Sequence, residues 1–104
     1  MRILLANSNT SAEVTATIAA AATAAASPGT EIVAETARFG ARVIGTRTEA
    51  AVSAHALVDM LALHAPGMDA VVIGMSLDTG LWAAREMLSV PVVGMTEAAC
   101  LLAC

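Results

Sequence analysis

The sequence contains few aromatic and few charged residues. Its only aromatic residues are Phe39 and Trp82, and charged residues make up 13% of the 104 positions, against about a quarter in an average domain. Acidic residues outnumber basic ones by nine to five, which gives a net charge of −4. Nucleic acids and anionic membranes are bound by clustered lysine and arginine, and single strands also by aromatic side chains. We therefore expect no nucleic acid and no membrane among the partners of this chain.

The sequence also lacks an apolar run long enough to cross a bilayer, which takes about 20 residues. Its longest alanine-rich block, residues 16–26, is interrupted by Thr17 and Thr23. The apolar start meets the polar Asn7 too early to be typical of a secretory signal. Cys100 and Cys104 lie one helical turn apart, a geometry that does not favour a disulfide, and have no neighbouring metal ligands. We expect a cytoplasmic protein without a metal site.

Apolar residues are abundant. They make up 58% of the sequence, and the mean hydropathy is +0.76. A domain of this size has a large surface relative to its volume, and there are few charged residues to cover it. We therefore expect part of the surface to be covered by another copy, so that the protein forms a homo-oligomer.

Apolar runs and turn residues predict four strands that alternate with four helices. The predicted strands are residues 2–6, 30–35, 70–73 and 88–94, and the predicted helices are residues 11–26, 48–64, 81–88 and 95–104, the last with Thr96 as its cap. This alternation indicates an α/β fold with a parallel sheet. We predict a single domain over residues 1–104, with three α/β/α layers and the flavodoxin-like strand order 2-1-3-4.

In that strand order, the carboxyl ends of strands 1 and 3 flank the switch point at which α/β proteins bind ligands. The candidate site residues are Asn7, Ser8, Asn9 and Thr10 after the first strand, Gly74, Met75, Ser76, Asp78 and Thr79 after the third, and Thr96 after the fourth. Loop amides and helix starts at this edge favour a negatively charged ligand. The alternative is an ordinary strand–helix connection without a ligand, which every α/β unit contains.

The irregular stretch at residues 36–46 is interpreted as a loop that folds over the strand ends. The spacing of Gly40 and Gly45 in it is similar to that of a nucleotide-binding P-loop. The P-loop lysine and the hydroxyl residue after it are absent, so we reject nucleotide binding here.

Four stretches together resemble the aspartate/glutamate/hydantoin racemase superfamily, most closely its hydantoin racemase-like branch. They are Asn-Ser-Asn-Thr at 7–10, Thr-Arg-Thr-Glu-Ala-Ala at 46–51, the run at 69–81, and Pro-Val-Val-Gly-Met-Thr-Glu-Ala-Ala at 91–99. The resemblance implies the N-terminal half of a protein with two similar α/β halves. It implies cofactor-independent proton transfer at the carbon next to a carboxylate or hydantoin carbonyl, with one cysteine from each half as acid or base. The implied ligand is a small carboxylate or a hydantoin-like ring.

The sequence departs from this family at both cysteines. Aligned on the Asp-x-Gly-Leu segment at 78–81, the first family cysteine falls on Met75, and a thioether carries no proton at neutral pH. A shift of one residue places Gly74 there, as in the related arylmalonate decarboxylases, which keep one of the two cysteines. The second cysteine has no counterpart, because Cys100 and Cys104 belong to the last predicted helix.

We therefore expect this chain to be inactive as a racemase. Three alternatives stay open: a non-catalytic domain that binds a small acid or pairs with another subunit, a one-cysteine isomerase or decarboxylase if the natural chain is longer, and a truncated product that keeps only the fold.

Overall fold

Strands and helices alternate along the whole chain. A computed structural model describes all residues from Met1 to Cys104. The strands are Arg2–Asn7 (β1), Glu31–Thr36 (β2), Ala70–Ile73 (β3) and Val92–Gly94 (β4). The helices are Ala12–Ala25 (α1), Arg47–His64 (α2), Leu81–Met87 (α3) and Met95–Ala103 (α4). None of these helices is both long and apolar enough to cross a bilayer.

The four strands form one parallel sheet in the order β2-β1-β3-β4. The central strand β1 pairs on both sides, so that Leu5 lies opposite Ala34 of β2 and Val72 of β3. The α/β fold and the strand order predicted from the sequence are both confirmed. All four strands run in the same direction, so the loops after β1, β2, β3 and β4 meet at one edge of the sheet.

The hydrophobic core lies between the sheet and helices α2 and α3. Successive strand residues point to opposite faces, and on this face Leu4, Val71 and Ile73 are fully buried. The helices supply Ala56, Leu57, Met60 and Leu61 from α2 and Leu81 and Ala84 from α3. This core fixes the positions of β1 and β3, and therefore of the loops that follow them.

Helix α1 packs on the opposite face of the sheet. It is rich in alanine, which has the highest helix propensity and the smallest side chain that a helix favours. A Cβ atom on Gly74 would lie 2.5 Å from Cδ1 of Ile18. Glycine at the end of β3 therefore lets α1 approach the sheet closely.

Side chains fix the starts of the two longest helices. Ser11 caps α1 by accepting a hydrogen bond from the amide of Val14 at 3.3 Å. Thr46 and Glu49 form a reciprocal capping box at the start of α2. The predicted start of α2 at residue 48 is therefore one residue late.

Strand β4 is shorter than the predicted span of residues 88–94. The amide of Leu88 still donates to the carbonyl of Ala84 at the end of α3, so Leu88 belongs to the helix terminus. Pro91 has no amide hydrogen, although its carbonyl accepts a hydrogen bond from Val71. Regular pairing therefore begins only at Val92.

Candidate functional site

A cavity of about 300 Å³ opens at the carboxyl edge of the sheet. Its walls come from the loops after β1, β2 and β3 and from the starts of α1 and α4. The lining residues are Asn9, Val14, Ile18, Arg42, Val43, Ile44, Gly74, Met75, Ser76, Leu77 and Met95. The loop at residues 36–46 thus folds over the strand ends, as its sequence predicts.

The side chain of Asn7 at the end of β1 is directed into the protein. Asn7 is fully buried, and its Nδ2 donates to Oδ1 of Asn9 at 2.9 Å and to Oγ1 of Thr15 at 2.9 Å. A third, longer contact of 3.2 Å reaches the carbonyl of Ser11. The amide of Asn7 therefore ties the loop to the first turn of α1.

The hydroxyl of Ser8 is also used internally. Oγ of Ser53 on α2 donates to Oγ of Ser8 at 2.7 Å, and both residues are buried. Thr10 is half-buried, does not line the cavity, and donates its main-chain amide to the carbonyl of Ala41. Of the four candidates from Asn7 at the end of β1 to Thr10, only Asn9 faces the cavity.

Met75, the second residue after β3, presents its sulfur to two hydrogen-bond donors. Its side chain is 7% exposed. Sδ lies 3.1 Å from the amide nitrogen of Leu77 and 3.5 Å from Oγ1 of Thr79. A thioether is only a weak acceptor, so this pair of donors is better suited to a negatively charged sulfur.

The same loop has donors without a protein partner. The main-chain amides of Met75 and Ser76 make no hydrogen bond to another protein atom, and neither does the hydroxyl of Ser76. Both residues line the cavity. This wall therefore offers three donors that could hold an oxygen atom of a ligand.

The carboxylate of Asp78 caps helix α4. It accepts from the amide of Thr96 at 2.9 Å and from the amide of Glu97 at 2.7 Å. A Cβ on Gly94 would lie 2.5 Å from this carboxylate, so glycine is needed there. The predicted capping role of Thr96 is wrong, because Thr96 lies inside α4 and its hydroxyl donates to the carbonyl of Ser76.

An ion pair holds α4 against α3. The guanidinium of Arg85 donates through Nη1 and Nη2 to the two carboxylate oxygens of Glu97, and its Nε donates to the carbonyl of Val92. Arg85 holds the pKa of Glu97 below its usual range, and Glu97 raises the pKa of Arg85. The ion pair and the Asp78 cap together fix the start of α4 beside the cavity.

No three His, Cys, Asp or Glu side chains are grouped closely enough to hold a metal ion. The polar groups at the cavity are one guanidinium, one amide, one hydroxyl and the main-chain amides of the loop. This set is suited to binding the oxygen atoms of an anion or a ring carbonyl.

Comparison with known proteins identifies the family. The sequence profile of the Asp/Glu/hydantoin racemases matches residues 3–104. The chain belongs to the Asp/Glu/hydantoin racemase family.

Individual racemases resemble the whole chain. A hydantoin racemase from Pseudomonas sp. (strain NS671) is 36% identical over 104 residues, which cover 99% of this chain and 42% of that protein. The structure of an allantoin racemase from Pseudomonas fluorescens superposes with a TM-score of 0.93 and 43% identity, covering 99% of this chain and 44% of the other. An allantoin racemase from Klebsiella pneumoniae superposes with a TM-score of 0.93 and 42% identity, covering 98% of this chain and 42% of the other. The chain thus spans less than half the length of these relatives.

Several residues that line the cavity of this racemase-family chain are not among the candidates predicted from the sequence. Arg42, Val43 and Ile44 come from the loop after β2, and Val14 comes from α1. The irregular sequence of the loop predicted its location over the strand ends. Nothing in the spacing indicated which of its side chains face the cavity.

Proposed function

We propose that this chain forms one half of a cofactor-independent proton-transfer site. The family reaction is proton transfer at a carbon next to a carboxylate or a hydantoin carbonyl. The observation that carries the proposal is the cavity at the carboxyl edge, with the sulfur of Met75 beside the amide of Leu77 and the hydroxyl of Thr79. We infer that Met75 occupies the position of the first family cysteine, where two donors would stabilise a thiolate.

We further propose that the chain is inactive as it stands. Racemisation needs one group that removes a proton and another on the opposite face that returns one. The thioether of Met75 takes up no proton at neutral pH, and Cys100 and Cys104 are exposed on or beside α4 and do not line the cavity. The three unpartnered donors of the Met75–Ser76 loop would still hold a small carboxylate or a hydantoin-like ring.

A second candidate is a non-catalytic domain that binds a small acid or pairs with another subunit. Methionine at position 75 favours this candidate, because its thioether contacts both donors without supplying a base. If the natural chain is longer and carries a cysteine in a second half, a one-cysteine isomerase or decarboxylase becomes the better hypothesis. The mass of the natural polypeptide distinguishes these cases.

Self-association and a cytoplasmic location are part of the same proposal. No residue of α4 is buried, and Leu101 and Leu102 are 70% and 88% exposed beside the edge strand β4. A second copy offers matching apolar surface, and pairing would remove these side chains from water. Both cysteines are free thiols, which fits the reducing cytoplasm.

The decisive experiment replaces the thioether at position 75 by a thiol. In a Met75→Cys variant with Cys100→Ser and Cys104→Ser, we expect the pKa of the new thiol to lie about one unit below the usual value of about 8.5. The pH dependence of alkylation at residue 75 measures it. Leu77→Cys in the same background is the matched control, because the side chain of Leu77 is 68% exposed and lies outside the donor pair.

A third variant tests whether the donor pair causes the lowered pKa of the thiol. Adding Thr79→Val to Met75→Cys removes one donor and should raise the pKa again. A thiol at position 75 that titrates at or above the control contradicts the proposed cysteine position. Solvent-deuterium exchange at the α-carbon of aspartate, glutamate or a 5-substituted hydantoin should not exceed the enzyme-free rate with the parent chain, and faster exchange would disprove its inactivity.

A further inference from the structure

Arg42 is the only charged residue that lines the cavity. Three other arginines, Arg2, Arg38 and Arg85, are hydrogen-bonded to carboxylates. The guanidinium of Arg42 makes no hydrogen bond, and its nearest acidic atom is Oε2 of Glu13 at 3.9 Å. Both of these side chains are mostly exposed, at 74% and 88%, so the pair is weak. Arg42 is therefore free to bind a ligand at the cavity.

The carboxylate beside Arg42, that of Glu13, is 88% exposed and lies outside the cavity lining. None of the lining residues is acidic. The carboxylate nearest in sequence to the β3–α3 wall, that of Asp78, is occupied by the amides of Thr96 and Glu97. Oδ1 of Asn9 is occupied by Nδ2 of Asn7 and the amide of Ser11. An ammonium group would therefore lose water in this cavity and gain at most the exposed carboxylate of Glu13, which is a weak partner.

Most of the remaining wall is apolar. Seven of the 11 lining residues are hydrophobic. They include Val14 and Ile18 from α1, Val43 and Ile44 beside Arg42, and Met95 from α4. The cavity therefore combines one positive charge with a surface suited to an aliphatic or aromatic substituent.

We propose that Arg42 is a specificity-determining residue that selects ligands with an anionic or carbonyl oxygen group, an apolar substituent and no ammonium group. This inference rests on the proposed function, in which the cavity binds a small carboxylate or a hydantoin-like ring. Free α-amino acids such as aspartate and glutamate are disfavoured because they carry an ammonium group.

A series of three ligands that share an isobutyl group tests this selection. 4-Methylpentanoate has one carboxylate, leucine adds an ammonium group at carbon 2, and 5-isobutylhydantoin replaces the acid by the ring. Affinities of the 104-residue chain are measured from amide chemical shifts at residues 74–77. We expect leucine to bind at least about fivefold more weakly than 4-methylpentanoate.

Variants of two arginines assign the effect to one side chain. Arg42→Gln should weaken binding of 4-methylpentanoate about fivefold, and Arg42→Lys should restore part of the loss. Arg47→Gln is the matched control, because Arg47 begins α2 outside the cavity and its loss should change the affinity less than about twofold. Binding that is unchanged in Arg42→Gln, or leucine binding as tight as that of 4-methylpentanoate, overturns the inference alone. If no ligand shifts residues 74–77, the inference and the proposed ligand site both fail.

Discussion

The two faces of the sheet differ in how completely they are covered. On the α2–α3 face, Leu4, Val71 and Ile73 are fully buried within a continuous core. On the α1 face, Val72 is only half-buried and Val93 is 39% exposed. The same strands supply both faces, so the difference arises from the helices: two large apolar helix surfaces cover one face, and a single alanine-rich helix covers the other.

This difference separates the part of the molecule that maintains the fold from the part that remains available for contacts. The core under α2 and α3 fixes β1 and β3, and the cavity loops follow from those two strands. The weakly covered part of the sheet continues to the edge strand β4 and to α4, where no residue is buried. Stability should therefore depend on the first region, and association on the second.

The largest expected effect is on association. Exposed Leu101 and Leu102 should drive the chain into dimers or larger species at micromolar concentration. A micromolar dissociation constant corresponds to a free energy of association of about 8 kcal/mol. The double variant Leu101→Glu/Leu102→Glu should sediment as a monomer. Leu63→Glu is the control, since Leu63 is 53% exposed on α2, and it should leave the assembly intact. A monodisperse parent monomer would show that the exposed α4 surface is not an interface.

The next effect compares neighbouring valines on opposite faces. Val71→Ala removes two methyl groups from a fully buried site and should lower the free energy of unfolding by about 2–3 kcal/mol. Val72→Ala on the same strand should cost less than about 1 kcal/mol, because Val72 is already partly in contact with water. Urea unfolding of the two variants measures the difference. Equal losses would mean that the two faces contribute alike, for example because a partner covers Val72.

The sequence predicted the parts of the structure that depend on local periodicity. The parallel sheet followed from the alternation of strands with helices, and the strand order followed from the flavodoxin-like arrangement expected for such a fold. Strand β4 was overextended because apolar residues on both sides of Pro91 look alike in sequence, although only those after it pair with β3.

The details of the site depended on contacts between distant residues. Asn7 follows a strand as a ligand-binding residue would, yet its amide is used by Thr15 one turn into α1. Asp78 caps α4 from 18 positions away, which no local capping pattern reveals. Arg42 gains its place at the cavity only from the path of an irregular loop. Residue type and approximate position were therefore predictable, but side-chain direction was not.

The smallest effect concerns the attachment of α4, the helix without buried residues. The hydrogen bond from Arg85 is the main cause that holds the pKa of Glu97 below its usual value. A carboxylate with a lowered pKa in the folded state contributes stability above its unfolded pKa and loses it as the pH falls through the folded pKa. Glu97→Gln should therefore reduce stability slightly at pH 7, and this effect should vanish in acid once the pH lies below the lowered pKa of Glu97. Glu86→Gln is the control, because Glu86 on α3 forms no ion pair. The effect should stay small because both partners of the Arg85–Glu97 pair are about one-third exposed. A loss that persists unchanged in acid would show that Glu97 acts through packing and not through its charge.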